Sequence, residues 1–242
     1  MSTSSQSASH DSSFFLAIAS IITLVVFGGF TLNWVVNPDN LSRVTLWIGL
    51  HGGFSAAWYL LLLNQLRLTR SGKIQSHMLW GKVSAILVVA IVISGAIMAL
   101  DLYDRLSGFG IFNTEDPVAR VRAGGLIGGT FLQWLFFAGL YILGVMNVKT
   151  PVHHKRFMLA AAIQMMPEGL NRIIHILEFP SYSMFVVISC IYLTMMIYDW
   201  KTDRRIHWST ALSIGLFALM TTCFYTVFRS QVWGDLVVSL LN

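Results

Sequence analysis

The chain has 242 residues, of which 55% are hydrophobic and only 11% charged, with a formal net charge of +5. Apolar stretches of about 20 residues, long enough to cross a roughly 30 Å hydrocarbon core, recur along its whole length, and a soluble domain cannot hide so many helices that are apolar all round. The basic excess is confined to short loops, so it reads as membrane orientation and argues against a nucleic-acid surface.

The opening MSTSSQSASHDSS is polar and low in complexity, and residues 1–13 are expected to form a disordered tail. No Lys or Arg precedes the first apolar run and no small-x-small cleavage site follows it. It therefore reads as a retained helix rather than a signal peptide. Seven spans are predicted, at 14–36, 44–66, 78–100, 123–147, 155–177, 181–199 and 208–228. The expected fold is an all-α integral membrane domain over 14–228, a seven-transmembrane-helix bundle. The connections are short except 101–122, whose Gly, Pro and mixed charges place it outside the bilayer. Residues 229–242, RSQVWGDLVVSLLN, form a mildly amphipathic tail suited to the interface. Cys190 and Cys223 each lie in an apolar run and read as small core residues.

Basic residues set the orientation. The loop after span 2 carries Arg67, Arg70 and Lys73, with Lys82 just inside span 3. The loop after span 4 carries Lys149, Lys155 and Arg156, and the loop after span 6 carries Lys201, Arg204 and Arg205. On the other face Arg43, Arg105, Arg120, Arg122 and Arg229 are offset by Asp101, Asp104, Glu115 and Asp116. This predicts a cytoplasmic N-terminus and an outside C-terminus. In span 4, Gly124, Gly125, Gly128 and Gly129 make overlapping small-xxx-small patterns that let another helix approach closely. Packing within the chain is the simpler use of this face; a homo-oligomer or larger membrane complex is the alternative. Trp34, Trp80, Tyr103, Tyr198, Trp200 and Trp208 fit an interfacial belt.

The histidines sort by depth. His77, His154 and His207 stand at the inner ends of spans 3, 5 and 7, with His153 beside His154, while His10 is in the tail. His51 and His175 belong to the outer half. In span 2, His51, Ser55, Trp58, Leu62 and Gln65 share one helical face. In span 5 the stripe is Gln164, Glu168, Asn171, Arg172 and His175, with Glu168 and Arg172 in the favourable i, i+4 order. Pro167 removes a backbone donor there and frees carbonyl groups. Ionisable residues at such depth cost roughly 2.5–3.5 kcal/mol each on insertion scales and commonly mark a site.

Three uses fit this constellation. Haem b between helices needs two axial ligands, apolar walls and a basic residue near the propionates. His51 and His175, with Arg172, would form an outer pair, and His77 and His154, with Lys82, Lys155 or Arg156, an inner one. His154 and His175 are 21 residues apart, roughly 30 Å along a helix, so they cannot share a centre. A transition metal held by His77, His154 and His207 is a variant. The second use is a proton-coupled transporter or small-ligand binder built on the Glu168 and Arg172 cluster. The third is a structural subunit of a membrane complex. A retinal protein is excluded, because span 7 has no lysine.

The runs HGGFSAAWYLLLLNQLRLTRSG, HMLWGK, VHHKRFMLAAA and YDWKTDRRIH resemble those of a family of uncharacterised bacterial multi-pass proteins. That family carries H…W…L…Q, H-x-x-x-G-[KR], H-K-R-[LF]-M and a late D…R…H. The match covers residues 44–210 and singles out His51, Trp58, Gln65, His77, Gly81 and Lys82, then His154, Lys155, Arg156, Met158 and His207. His175 is outside the pattern. H-K-R-[LF]-M also resembles small membrane proteins that assist assembly of haem–copper oxidases. The resemblance implies a multi-pass protein of the bacterial inner membrane and this shortlist of residues; the expected haem- or metal-associated redox or oxidase-assembly role is drawn from the histidines at two depths and the buried charges.

Overall fold

Inside hydrocarbon the backbone must satisfy its own hydrogen bonds, so the apolar runs fold as helices. The computed structural model describes residues 3–108 and 113–241, apart from the side chains of 3–12, 102, 103 and 105–107. The side chains of His10, Tyr103 and Arg105 thus lie outside the described residues. In chain order the described helices are α1 (Thr3–Val36), α2 (Leu46–Arg70), α3 (Ile74–Gly108), α4 (Pro117–Met146), α5 (Pro151–Met165), α6 (Pro167–Ile176), α7 (Ser183–Asp203), α8 (Trp208–Tyr225) and α9 (Gln231–Leu241). A short 3-10 turn, Pro38–Arg43, joins α1 to α2. α1 extends back through the polar stretch expected to be irregular, and its apolar part starts at Ser13.

Among the described residues six helices are long and apolar enough to cross a membrane: α1, α2, α3, α4, α7 and α8. The chain is a multi-pass helical membrane protein in contact with the lipid bilayer. Its fifth predicted span differs from the expectation of one helix over 155–177. There the chain makes a 15-residue helix and a 10-residue helix, meeting at Met166 and Pro167. Pro167 is the cause, because it has no N–H to donate back along the helix. The Met166 N–H turns to the Ile163 carbonyl at 3.1 Å, and the Ala162 carbonyl accepts the Tyr59 hydroxyl at 2.8 Å. The carbonyl freed by the break is therefore capped by a side chain of α2.

α5 is the most enclosed helix: Phe157 and every residue from Leu159 to Met165 are buried. It packs against α1, α4 and α8, while α6 lies on α1. α1 runs parallel to the broken pair along its length. Phe15 lies under the Lys155 ammonium (4.9 Å) near one end, and Phe30 lies under the Arg172 guanidinium (4.0 Å) near the other. The tightest point is the crossing of Gly29 and Gly169. A Cβ on Gly29 would strike the Gly169 carbonyl, and one on Gly169 would strike the Val26 backbone. Glycine is what lets these helices meet at backbone contact.

The glycine face of α4 is used within the chain. Phe228 and Trp233 cover Gly128, and Gly234 lies against Gly124. The Trp233 indole donates to the Gly124 carbonyl (2.7 Å), and Arg120 pairs with Asp235 (2.8 Å). The tail is thus α9 packed on α4, and a partner on this face would have to displace it. The cysteines are not core residues as expected: Cys190 is exposed and Cys223 half-buried, both as free thiols.

Replacing Gly169 by Val is expected to push α6 off α1 and lower the thermal midpoint in detergent, with overpacking of about 1–3 kcal/mol or more. Gly28→Val is the control, since an added Cβ there meets nothing within 4 Å, and its midpoint should match the wild type.

Candidate functional site at the basic end of the bundle

Side-chain contacts bring the three basic loops to one end of the bundle. Gln65 near the end of α2 donates to the His77 carbonyl at the start of α3 (3.0 Å). The His77 and His154 rings face each other in a T arrangement with centroids 6.2 Å apart. His153 at the start of α5 bonds Ser209 at the start of α8 (3.0 Å), and Arg156 reaches Asp199 near the end of α7. Two polar groupings result, on different faces of the first turns of α5.

The first is a buried clamp. Arg156 and Asp199 are each only 1% exposed. Arg156 donates to Asp199 Oδ1 from Nε (2.9 Å) and Nη2 (2.5 Å), and to the Val152 carbonyl from Nη1 (2.7 Å). Asp199 Oδ2 accepts from the His207 backbone N–H (3.2 Å) and the Thr210 hydroxyl (2.7 Å). His207 is the residue before α8, so this carboxylate takes up one of the unpaired N–H groups at that helix start. The His207 ring lies 2.7 Å from Asp203 Oδ2. Next to it, the Trp208 indole donates to His153 Nε2 (2.9 Å), which requires a neutral ring with its proton on Nδ1. Burial, followed by the neighbouring His207 ring and the Arg156 and Arg205 guanidinium groups, holds the His153 pKa below its ordinary value.

The second grouping lines a cavity of about 740 Å³, within the range of small-molecule and cofactor sites. Its walls are mainly apolar, with Trp58, Leu62, Tyr141 and Leu159 buried deep in it. Its polar atoms come from Gln65, His77, Lys82, His154 and Lys155, with the Ser84–Tyr141 hydroxyl pair (2.8 Å) on the wall. His154 Nδ1 lies 2.8 Å from the Gly144 carbonyl. A carbonyl only accepts, so Nδ1 carries a proton, and Nε2 is the ring nitrogen left to face a ligand, the arrangement of a ligating histidine. His77 Nδ1 and Gln65 Oε1 are buried without a hydrogen-bond partner, and such atoms ask for an explanation.

The motif residues of α2 and α3, namely Trp58, Gln65, His77, Gly81 and Lys82, line this cavity, as do His154, Lys155 and Met158 of α5. The remaining sequence candidates lie elsewhere. His207 belongs to the clamp, so the predicted metal trio of His77, His154 and His207 is divided between two groupings. Among the described residues no three His, Cys, Asp or Glu side chains form a group that could hold a metal ion. His51 is buried with Nδ1 3.1 Å from the Ile91 carbonyl and 3.2 Å from Ser94 Oγ, while His175 is exposed at the end of α6. The outer pair is thus separated: one ring is bound to α3 and the other points away from the bundle.

The span 5 stripe does not turn one polar face inward, because the break at Pro167 divides it. Gln164 is buried and donates to Met220 Sδ on α8 (2.7 Å). Glu168 and Arg172 are half-exposed and paired with each other (3.8 Å), and Arg172 also donates to the Glu168 carbonyl. Asn171 is half-buried beside them.

No family model, curated protein or solved structure matches this chain.

Sequence reading missed Asp199, Thr210, Ser84 and Tyr141. Asp199 carried a signal: an acid within an apolar run needs a cation, and Arg156, like Lys82 and Lys155, falls within a predicted span on the same face. Removing Arg156 alone (Arg156→Met) is expected to cost about 3–5 kcal/mol by stranding the Asp199 charge. Arg156→Met with Asp199→Leu should recover much of that loss, as read by thermal melts in detergent. His153 gives a pH signature. Above the ordinary histidine pKa of 6.5 the ring is neutral folded and unfolded, and contributes no pH dependence. Below it the unfolded chain takes the proton first, so stability falls as pH falls. Melts at about pH 7 and about pH 5 should show a smaller acid loss in His153→Gln, which keeps an acceptor for Trp208.

Proposed function

We propose that this protein is a haem b-binding membrane protein with a redox or oxidase-assembly role, in which His77 on α3 and His154 on α5 would hold the group. The observation that carries the reading is the pairing of these rings across the cavity, with His154 Nδ1 engaged by the Gly144 carbonyl, so that Nε2 is its free nitrogen, and His77 Nδ1 unpartnered. The ring centroids are 6.2 Å apart, close enough for both imidazoles to hold one group. The donor count favours haem over a bare ion. A structural or catalytic ion takes three or four protein ligands, whereas a haem iron is held in its ring and asks the protein for axial ligands alone. The apolar walls suit the ring, and Lys82 and Lys155 suit its acidic groups. When bound, the group would supply one-electron chemistry near the basic face.

In the same reading α5 and α6 together make a seventh traverse beside α1, which their contacts at both ends of α1 support. The basic loops then lie on the cytoplasmic side of a bacterial inner membrane, and the C-terminus lies outside. The Glu168 and Arg172 alternative has less support, because those charges are already partnered and lie outside the cavity.

Protein purified after expression with sufficient haem should show a Soret band with six-coordinate, low-spin character. His77→Ala and His154→Ala should each abolish the low-spin signature, while His51→Ala and His207→Ala that still fold should retain it. A wild-type protein without a Soret band would remove the proposal.

A further inference from the structure

The cavity is closed on most sides by cross-links between its helices. Gln65 ties α2 to the His77 carbonyl of α3. His154 ties α5 to the Gly144 carbonyl of α4, with Met158 packed over Gly144. Phe15, Ala19, Trp58 and Leu62 belong to one buried cluster that closes the α1 and α2 side. The seam between α3 and α4 differs. It is joined by the Tyr141 and Ser84 hydroxyls (2.8 Å), with Ser84 also donating to the Gly81 carbonyl (2.6 Å). From Ser84 back to the start of α3 is ten residues, about 15 Å of helix. Along that stretch the cavity is lined by side chains that also face outward. Met78 is 63% exposed on α3 and Met146 74% exposed on α4. Ile74 and Ile142 extend this apolar rim, and Lys82 is the exposed cation on its edge.

An opening rimmed by methionine and isoleucine in a membrane-spanning helix pair faces hydrocarbon rather than water. We propose that the cavity is loaded sideways from the inner half of the bilayer through the α3/α4 seam. Its occupant is an amphipathic molecule whose acidic end comes to rest on Lys82. The inference rests on the haem reading, since haem combines a planar apolar body with carboxylates on one edge. The apolar part slides between Met78 and Met146 toward His77 and His154. The carboxylates stay at the rim, where a lysine on a flexible stem meets them without being desolvated.

The test uses the full-length apoprotein in lipid nanodiscs, with haemin supplied from haemin-loaded vesicles and the Soret band as readout. Met146→Trp should slow the appearance of the band severalfold at unchanged final amplitude. Ile142→Trp repeats the block on the same rim if Met146→Trp folds poorly. Lys82→Gln should weaken haemin binding about tenfold, the loss of a charge-assisted contact. Haemin dimethyl ester, which has no carboxylate, should bind Lys82→Gln and wild type alike. Wild-type rates in the tryptophan variants, together with undiminished haemin affinity in Lys82→Gln, would overturn the sideways route and leave the haem reading standing. A wild-type protein that takes up no haemin while folded would instead remove the haem reading, and this inference with it.

Discussion

The Asp199 carboxylate is the constraint on which the basic end of the bundle is built. It lies in an apolar setting where an unpaired charge is not tolerated, and it accepts four hydrogen bonds, from Arg156 (two), the His207 backbone and Thr210. Those donors sit on α5, on α8 and on the residue just before α8, while the acceptor sits on α7. One side chain therefore holds three helix ends in register. Such a pair need not be more stable than apolar residues of the same shape. Its effect is specificity: few other arrangements of these helices satisfy both charges. The consequence reaches the cavity. Arg156 holds one face of the first turns of α5, and two residues earlier His154 is held on α4 by the Gly144 carbonyl. The imidazole is thus presented from a helix start that is anchored on both sides.

The break at Pro167 is the second constraint. A buried helix with an unmet carbonyl would be costly in hydrocarbon, and Tyr59 meets that cost by donating to Ala162. α5 then fills the centre with small residues, Ala160, Ala161 and Ala162 all buried. α6 turns onto α1 at the crossing of Gly29 and Gly169. Large side chains at these points would separate the helices, so close approach rather than apolar bulk holds this half of the protein together.

Much of this was readable in the sequence, and the failures have physical causes. Hydropathy and length found the six long spans, because a bilayer sets a minimum run of apolar residues. The proline was seen to free carbonyls, yet its effect on the span was underestimated, since a proline inside a span can kink a helix as well as end one. Depth sorting put His77 and His154 at one level, and their rings do lie beside each other, because they start helices at the same end of the bundle. It also grouped His207 with them, because depth says nothing about position around the bundle. The glycine pattern on α4 announced a close neighbour, and that neighbour proved to be the chain's own tail. Asp199 escaped notice because a single acid beside Trp200 and Lys201 reads as a span end; only Arg156 on a distant segment makes it interior.

In the proposed reading, what separates a haem from a bare ion is the number of donors rather than their kind. Seven histidines in the chain suggest metal chemistry by composition alone. The fold disperses the six whose side chains are described. His51 bonds the α3 backbone, His153 and His207 join the clamp, and His175 faces outward, which leaves His77 and His154 on the cavity. Two nitrogens are too few to hold a lone ion firmly, but they match a cofactor that brings the rest of its coordination with it. The space around them is apolar and larger than an ion needs, and its cations lie at the rim. Donor count, wall chemistry and charge placement thus converge on one kind of occupant, which no one of them would select alone.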